Sequence, residues 1–332
     1  MPHPVPEPAQ GRPALRSAGD RVFSDLGGPT MGTTWSARLA APAGLDLRQA
    51  HARVQDALDG VVAQMSTWLP GSDLCRFNRA PEGWHALPAE CFEVLQCAWE
   101  LARETGGAYD PTVAPLVDLW GFGPAAPRTV PASQAEVDAA LARVGWYRLR
   151  LDPAARRAWR PADAALDFSS IAKGYGVDRA AAALDALGVA NYLVEVGGEL
   201  LGRGRRPDGR PWRVAVELPD GSGPAAVLAL DGLSVATSGD YRRYFEAGGR
   251  RYSHTLDPRT GRPVEHGLAS VAVAAQQCMR ADAQATALAV LGLEAGMEHA
   301  RRHGLAALFV SHAGDGFDSR ATPAFEALLT GE

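Results

Sequence analysis

Apolar residues recur along this chain with two different periods, and the alternation between them marks out the elements. Leu47, Ala50, Val54, Leu58, Val61 and Met65 fall three or four residues apart, so residues 46–65 are predicted to form an amphipathic helix. Residues 89–104 repeat the pattern, and Gly106 and Gly107 stop it. "SQAE" at 133–136 has the spacing of a capping box and opens a helix to about residue 144. Further helices are predicted at 171–187, 281–292 and 294–303, with a short one near 323–330. Period-two alternation appears first in "TMGTTWSARLA", read as a strand, and a loop carrying "LPGSD" follows the first helix. From residue 146 onward come "YRLRL", "YLVEV", "WRVAVEL", "AVLAL", "LSVATS" and "ASVAVAA", strand-like runs parted by turn residues, then a strand at 305–311. The fold class this implies is mixed α/β (α+β): a single domain with a large, partly antiparallel sheet flanked by helices. No repeat and no linker follows residue 28, so residues 28–332 form one domain behind a flexible N-terminal tail at 1–27.

Composition narrows the class. Of 332 residues 46% are hydrophobic, enough for a substantial core. A net charge of −5 without a long basic run argues against nucleic acid as a partner. Cys75, Cys91, Cys97 and Cys278 form neither a CxxC pair nor a zinc spacing. Free thiols are the simplest reading, with two disulfides as the alternative. The first residues lack an apolar signal core, a lipidation cysteine and a twin-arginine signal, and no stretch is long enough for a transmembrane span. The expected compartment is the cytoplasm, or the periplasm if the start is trimmed.

Several segments carry candidate chemistry. In "MRADAQATAL" at 279–288, Asp282 and Thr286 lie four residues apart and share one face of an alanine-rich helix. Asp282 could cap its own helix and Thr286 could bond back to the preceding turn. Alternatively the two oxygens hold a hard cation such as Mg²⁺. "LDFSSIAKGYGVDRA" at 166–180 gathers Asp167, Ser169, Ser170 and Lys173 at a strand-to-helix junction, suited to an anion or to an ordinary capped helix. "GGAYDPTVAPLVDLWGFG" at 106–123 reads as irregular backbone whose Tyr109, Trp120 and Phe122 either pack on a planar ligand or pin the loop to the core. "MSTWLPGSDLCRFN" at 65–78 sets Trp68 before a Pro-Gly turn, with Arg76 and Asn78 after it. His254, in "YSHTLDPRTGRPV" at 252–264, stands beside a turn and reads as a structural histidine or a general base. "VATSGDYRRYF" at 235–245 offers a Ser238-Gly239 turn. "VEVGGELLGRG" reads as a glycine-tight turn, and "PDGRPWRVAVELP" as a hairpin whose tip carries Arg203, Arg205, Arg206 and Arg210.

Taken in order, these pieces resemble one family, the ApbE-type FAD:protein FMN transferases, formerly called thiamine-biosynthesis lipoproteins. The matching stretches are "TMGTTW", "STWLPGSDLCRFN", "GGAYDPTVAPL", "DFSSIAKGYGVD", "YLVEVGGEL", "DGRPWRVAVELP", "ATSGDY", "SHTLDPRTGRPV" and "ADAQATAL", covering residues 29 to about 292. The resemblance implies an enzyme that uses FAD as substrate with Mg²⁺. It would move FMN to a threonine or serine hydroxyl of an acceptor flavoprotein bearing a Ser-Gly-Ala-Thr-like motif, and release AMP. It further implies Asp282, Thr286 and the main-chain carbonyl of Ser170 as metal ligands, with Asp282 thereby catalytic, and His254 as the base. Met31 and Trp68 would line the flavin, and Ala108, Tyr109, Asp110, Asp167, Lys173 and backbone near Leu256 would contact FAD. Trp68 stands where the family often has tyrosine, and Ser169 and Ser170 where many members have glycine or alanine. The alternatives are an Mg²⁺-dependent FAD pyrophosphatase giving FMN and AMP, with water in place of the acceptor, and a non-catalytic flavin-binding protein.

Overall fold

The strands of the main sheet lie side by side in the order in which they occur in the chain. In the computed structural model, which describes residues 23–41, 44–239 and 243–329, they are β1 (Phe23–Thr30), β2 (Thr33–Ala40), β3 (Tyr192–Val196), β4 (Glu199–Arg203), β5 (Leu233–Gly239), β6 (Leu268–Ala275), β7 (Ala306–Ala313) and β8 (Gly316–Ala321). Each pairs with the next, and every pairing in the sheet is antiparallel, further than the partial antiparallel character expected. The sheet is an eight-stranded meander, and the rest of the chain is hung on its connections. The β2–β3 connection carries α1 (Leu47–Met65), α2 (Asp73–Arg79), α3 (Ala89–Glu104), α4 (Ala114–Leu119), α5 (Gln134–Leu141) and α6 (Ala172–Ala186). The β4–β5 connection carries the hairpin Trp212–Glu217 and Pro224–Leu230. Helices α7 (Cys278–Leu291) and α8 (Leu293–Arg302) join β6 to β7, and α9 (Pro323–Glu326) follows β8.

Strand periodicity assigns the two faces. On β6, Val271 and Val273 pack with Ala281, Ala285 and Leu288 of α7 and Met297 and Ala300 of α8. Ala272 and Ala274, pointing the other way, join Trp212, Val214, Leu228 and Leu230 of the hairpin and Phe325 of α9. Both faces are covered, which explains why this strand is a continuous apolar run. Trp35, Ala37 and Leu39 of β2 meet Val54 and Leu58 of α1 and Val177 and Leu184 of α6. Each fully buried valine or leucine here contributes roughly 1.5–3 kcal/mol by leaving water. Burial of α1 falls on Ala50, Val54, Leu58, Val61 and Met65, as its periodicity predicts.

Local chemistry sets the helix ends. Asp46 caps α1 through the amides of Arg48 and Gln49, and Ser133 with Glu136 forms the predicted capping box of α5. Several expectations need correction. Residues 23–27, assigned to the tail, belong to β1, while residues 1–22 lie outside the described residues. "TMGTTWSARLA" is not one strand: Met31 (φ 48°) and Gly32 (φ 71°) make a two-residue turn joining β1 to β2. Helix α2, capped by Ser72, follows the "LPGS" turn, and α4 stands inside the segment expected to be irregular. "YRLRL" is a 3₁₀ turn at Trp146–Arg148 followed by a short strand, Arg150–Asp152. Ser238 and Gly239 end β5 instead of forming a turn, and α7 starts at Cys278, earlier than expected. All four cysteines are free thiols. No helix among the described residues is long and apolar enough to cross a membrane.

Helices α6 and α7 meet closely at Gly174 of α6, where an added Cβ would stand 2.3 Å from the Cys278 carbonyl oxygen of α7. Gly174→Ala is therefore expected to destabilise the fold by about 1–3 kcal/mol. Gly60→Ala, in α1 with no atom within 4 Å of the new Cβ, should stabilise by about 0.5–1 kcal/mol. Urea unfolding midpoints of the two variants against the parent check both signs.

Candidate active site

A cavity of about 380 Å³ opens where the β1–β2 turn, the end of β5, the start of α6, one face of α7 and the 108–113 and 254–258 segments meet. Every residue that the family resemblance assigned to the site lines it: Met31, Trp68, Ala108, Tyr109, Asp110, Asp167, Ser170, Lys173, His254, Leu256, Asp282 and Thr286.

Its floor is the crossing of α6 and α7. Asp282 does not cap its own helix, as one reading held, because it lies in the second turn. Instead its Oδ2 accepts the amide of Gly174 at 2.9 Å, at the start of α6. That amide lies in the first turn of α6, which leaves it without a helix partner. Ser170's carbonyl, just ahead of the helix, accepts no hydrogen bond among the described residues. Asp282 Oδ1 and the Thr286 hydroxyl likewise have no partner there, and neither is sealed from solvent. The back-bond considered for Thr286 is not made. These are a carboxylate, an alcohol and a carbonyl oxygen, all hard donors, in residues that line one cavity. No cluster of three or more His, Cys, Asp or Glu suited to a metal occurs among the described residues. The donor set therefore fits Mg²⁺ and not a softer ion. Burial raises the Asp282 carboxyl above its usual range, against the opposing pull of Lys173 and the Gly174 amide.

Lys173 is held by an ion pair with Glu199, a carboxylate buried at the start of β4. Its charge is thus shared with Glu199 and Asp282 and is not an isolated phosphate anchor. Gly197, at φ 58°, lets this turn pass Lys173: an added Cβ would meet Lys173 Cδ at 3.3 Å and Thr33 Cγ2 at 2.8 Å. Met31 reaches back to α6 over Gly176, where an added Cβ would stand 2.7 Å from Met31 Cε and the methionine would have to shift. Met31 holds the left-handed conformation that few non-glycine residues adopt, a local strain of the kind that gathers at functional sites. Trp68 stays 59% exposed on the rim, with an amide bonded to Ser66 Oγ at 3.1 Å.

The 108–113 wall is fixed from within. Asp110 accepts from the Thr112 amide (2.8 Å) and hydroxyl (2.6 Å) through Oδ1 and from the Trp146 amide (2.9 Å) through Oδ2. Thr112 Oγ1 in turn accepts the amide of Gly145 at 2.7 Å. Both oxygens of Asp110 accept bonds from the wall, which fixes the shape of this side of the cavity. Asp167 Oδ1 accepts the Ser169 amide at 2.7 Å, its own amide bonds the Pro111 carbonyl at 2.9 Å, and burial raises its carboxyl pKa. Asn78 clamps both main-chain groups of Leu166 at 2.8 Å, making it a brace for this segment. Ser170 Oγ donates to the Tyr109 hydroxyl at 3.3 Å, and burial pushes that phenol well above its ordinary pKa.

His254 stands on the opposite connection. Its Nδ1 lies 3.1 Å from the Arg243 carbonyl, which can only accept, so the neutral ring carries its proton on Nδ1 and Nε2 is the basic nitrogen. The Phe122 ring meets it edge-on at 6.3 Å, backed by Phe245 stacked on Tyr252 at 4.9 Å. Trp120, a candidate for ligand packing, is instead core, with Nε1 bonded to the Gly261 carbonyl at 2.9 Å. Sequence reasoning missed Glu199, Arg243 and Thr237 in or beside the cavity. A glutamate directly after a Gly-Gly turn was the one available signal for Glu199. Asp240 and Tyr241 of "ATSGDY" lie outside the described residues.

Asp178 of α6 accepts the amides of Cys278 and Met279, each at 2.9 Å, and burial pushes its pKa from 3.8 up to about 6 despite those bonds. The folded protein therefore holds this proton to higher pH than the unfolded chain. Its contribution to stability is greatest below pH 3.8 and declines as pH rises toward 6. Asp178→Asn should flatten the urea-derived stability profile in that window, and an unchanged slope would contradict the assignment.

A family model described as the ApbE family matches residues 31–309. The chain is 39% identical to the FAD:protein FMN transferase of Vibrio cholerae, covering 92% of each chain. It is 38% identical to that of Salmonella typhimurium, covering 92% of this chain and 89% of the other. Among solved structures, the apo Pseudomonas stutzeri flavinyl transferase ApbE superposes with a TM-score of 0.87 at 42% identity, over 95% of this chain and 99% of that one. The Vibrio cholerae flavin transferase ApbE gives 0.86 at 37%, over 93% and 100%. With sequence match, fold and cavity in agreement, the chain belongs to the ApbE family.

Proposed function

We propose that this enzyme is an Mg²⁺-dependent FAD:protein FMN transferase whose chemistry takes place in the cavity between α6, α7 and His254. The observation that carries the reading is that Ser170, Asp282 and Thr286, each with an oxygen that has no partner among the described residues, line one cavity with His254, whose Nδ1 is turned to a carbonyl. FAD is the substrate and a protein is the acceptor, as in the relatives' names, and the acceptor becomes a flavoprotein by taking FMN. An acceptor hydroxyl in a Ser-Gly-Ala-Thr-like motif gives up its proton to His254 Nε2. Its oxygen then bonds to the FMN phosphorus as the bond to the AMP phosphate breaks, and AMP leaves. The Arg243 carbonyl keeps the imidazole in the tautomer this requires. Lys173, held by Glu199, keeps a positive charge where the pyrophosphate charge builds up. Mg²⁺, when bound to Ser170, Asp282 and Thr286, would stabilise charge on the phosphoryl oxygens. Met31 and Trp68 supply apolar surface for the flavin ring, Ala108, Tyr109, Asp167 and the backbone at Leu256 contact FAD, and Asp110 holds that wall in place.

Intact mass of an acceptor domain, incubated with enzyme, FAD and Mg²⁺, tests the reading. One added FMN unit is expected with the parent. With Asp282→Ala, at unchanged circular dichroism, labelling should fall by about a hundredfold or more. AMP and free FMN without labelling would instead make the chain a pyrophosphatase, and bound, intact FAD would make it a flavin-binding protein.

His254→Ala should lower the transfer rate by about 10²–10⁴-fold while FAD affinity stays within about twofold. Single-turnover kinetics and flavin fluorescence titration separate the two quantities. A large loss of affinity at unchanged turnover would contradict the base role.

A further inference from the structure

Helices α6 and α7 cap each other. Neither has a side-chain cap of its own: Ile171 and Gln277, at the two cap positions, make no such bond. Asp282 of α7 takes the Gly174 amide of α6, and Asp178 of α6 takes the Cys278 and Met279 amides of α7. The two halves match in spacing, Gly174 to Asp178 and Cys278 to Asp282, each pair one turn apart. Each helix thus gives a first-turn amide and, one turn later, a carboxylate for the other. The lock closes at a distance that only glycine at 174 permits.

We propose that Asp178 is a positioning residue for the cation site, an inference that rests on reading Asp282 and Thr286 as ligands. Asp178 does not line the cavity. It acts by fixing the first turn of α7. Asp282 and Thr286 follow Cys278 by about one and two turns on the same rigid helix. A shift of that first turn therefore moves both ligand oxygens relative to the Ser170 carbonyl. Mg²⁺-type coordination tolerates little displacement, so such a shift weakens cation binding before it touches flavin binding.

The test is a Mn²⁺ titration of the protein with FAD present and no acceptor, free Mn²⁺ being read by electron paramagnetic resonance, on the parent, Asp178→Asn and Asp178→Glu. The glutamate keeps the charge but displaces the carboxylate by one methylene. Both variants are expected to weaken Mn²⁺ binding by about tenfold or more, with the FAD dissociation constant measured without metal unchanged within about twofold. Parental Mn²⁺ affinity in Asp178→Glu would overturn the proposal, because charge alone would then suffice. So would equal losses of Mn²⁺ and FAD binding, or loss of the native circular dichroism in both variants, since either makes Asp178 a general folding determinant. Absence of Mn²⁺ binding by the parent would overturn the ligand reading itself.

Discussion

The hydrogen bond from the Gly174 amide to the Asp282 carboxylate is the contact on which the rest of the site depends. It satisfies an amide that the start of α6 leaves without a helix partner. It draws α6 and α7 into a contact that excludes any side chain at position 174. It leaves Asp282 with a second oxygen that has no partner among the described residues, in a cavity that Ser170 and Thr286 also line. A single interaction therefore builds the helix junction and fixes Asp282 beside the other oxygen donors. The proposed function and the stability of this junction are two consequences of the same geometry.

The meander supplies the rigid frame for that junction. Its long connections leave the sheet after β2, β5 and β6 and return to the next strand, so segments remote in sequence meet above the sheet. Buried packing on both faces fixes β5 and β6, while the cavity walls belong mainly to connections. The walls are held by polar networks: Asp110 to Thr112 and Trp146, Asn78 to Leu166, and Lys173 to Glu199. This division places chemistry on irregular backbone while the apolar energy of folding resides in the sheet and its helices.

Legibility in the sequence followed the range of the forces involved. The helices α1 and α3 and the capping box at Ser133 were readable because their signals lie within a few residues. The β1–β2 turn was hidden because apolar alternation continues on either side of Met31 and Gly32. Helix α2 is short, and α4 begins among prolines and glycines, so neither shows a full period. The cavity residues were readable through their order along the chain, and they do converge. What escaped was long-range partnership: Glu199 for Lys173, Asp178 for the start of α7, and Asp282 as a cap on a different helix. No local pattern encodes a carboxylate that reaches across about a hundred residues to another helix's amide.

Crystals grown with FAD and Mn²⁺ and measured at the manganese absorption edge would locate the cation. One anomalous peak is expected, in coordination contact with the Ser170 carbonyl, Asp282 Oδ1 and the Thr286 hydroxyl, with Asp282 Oδ2 still on the Gly174 amide. A peak elsewhere in the cavity, or an Asp282 turned away from Gly174 to reach the metal, would contradict this arrangement.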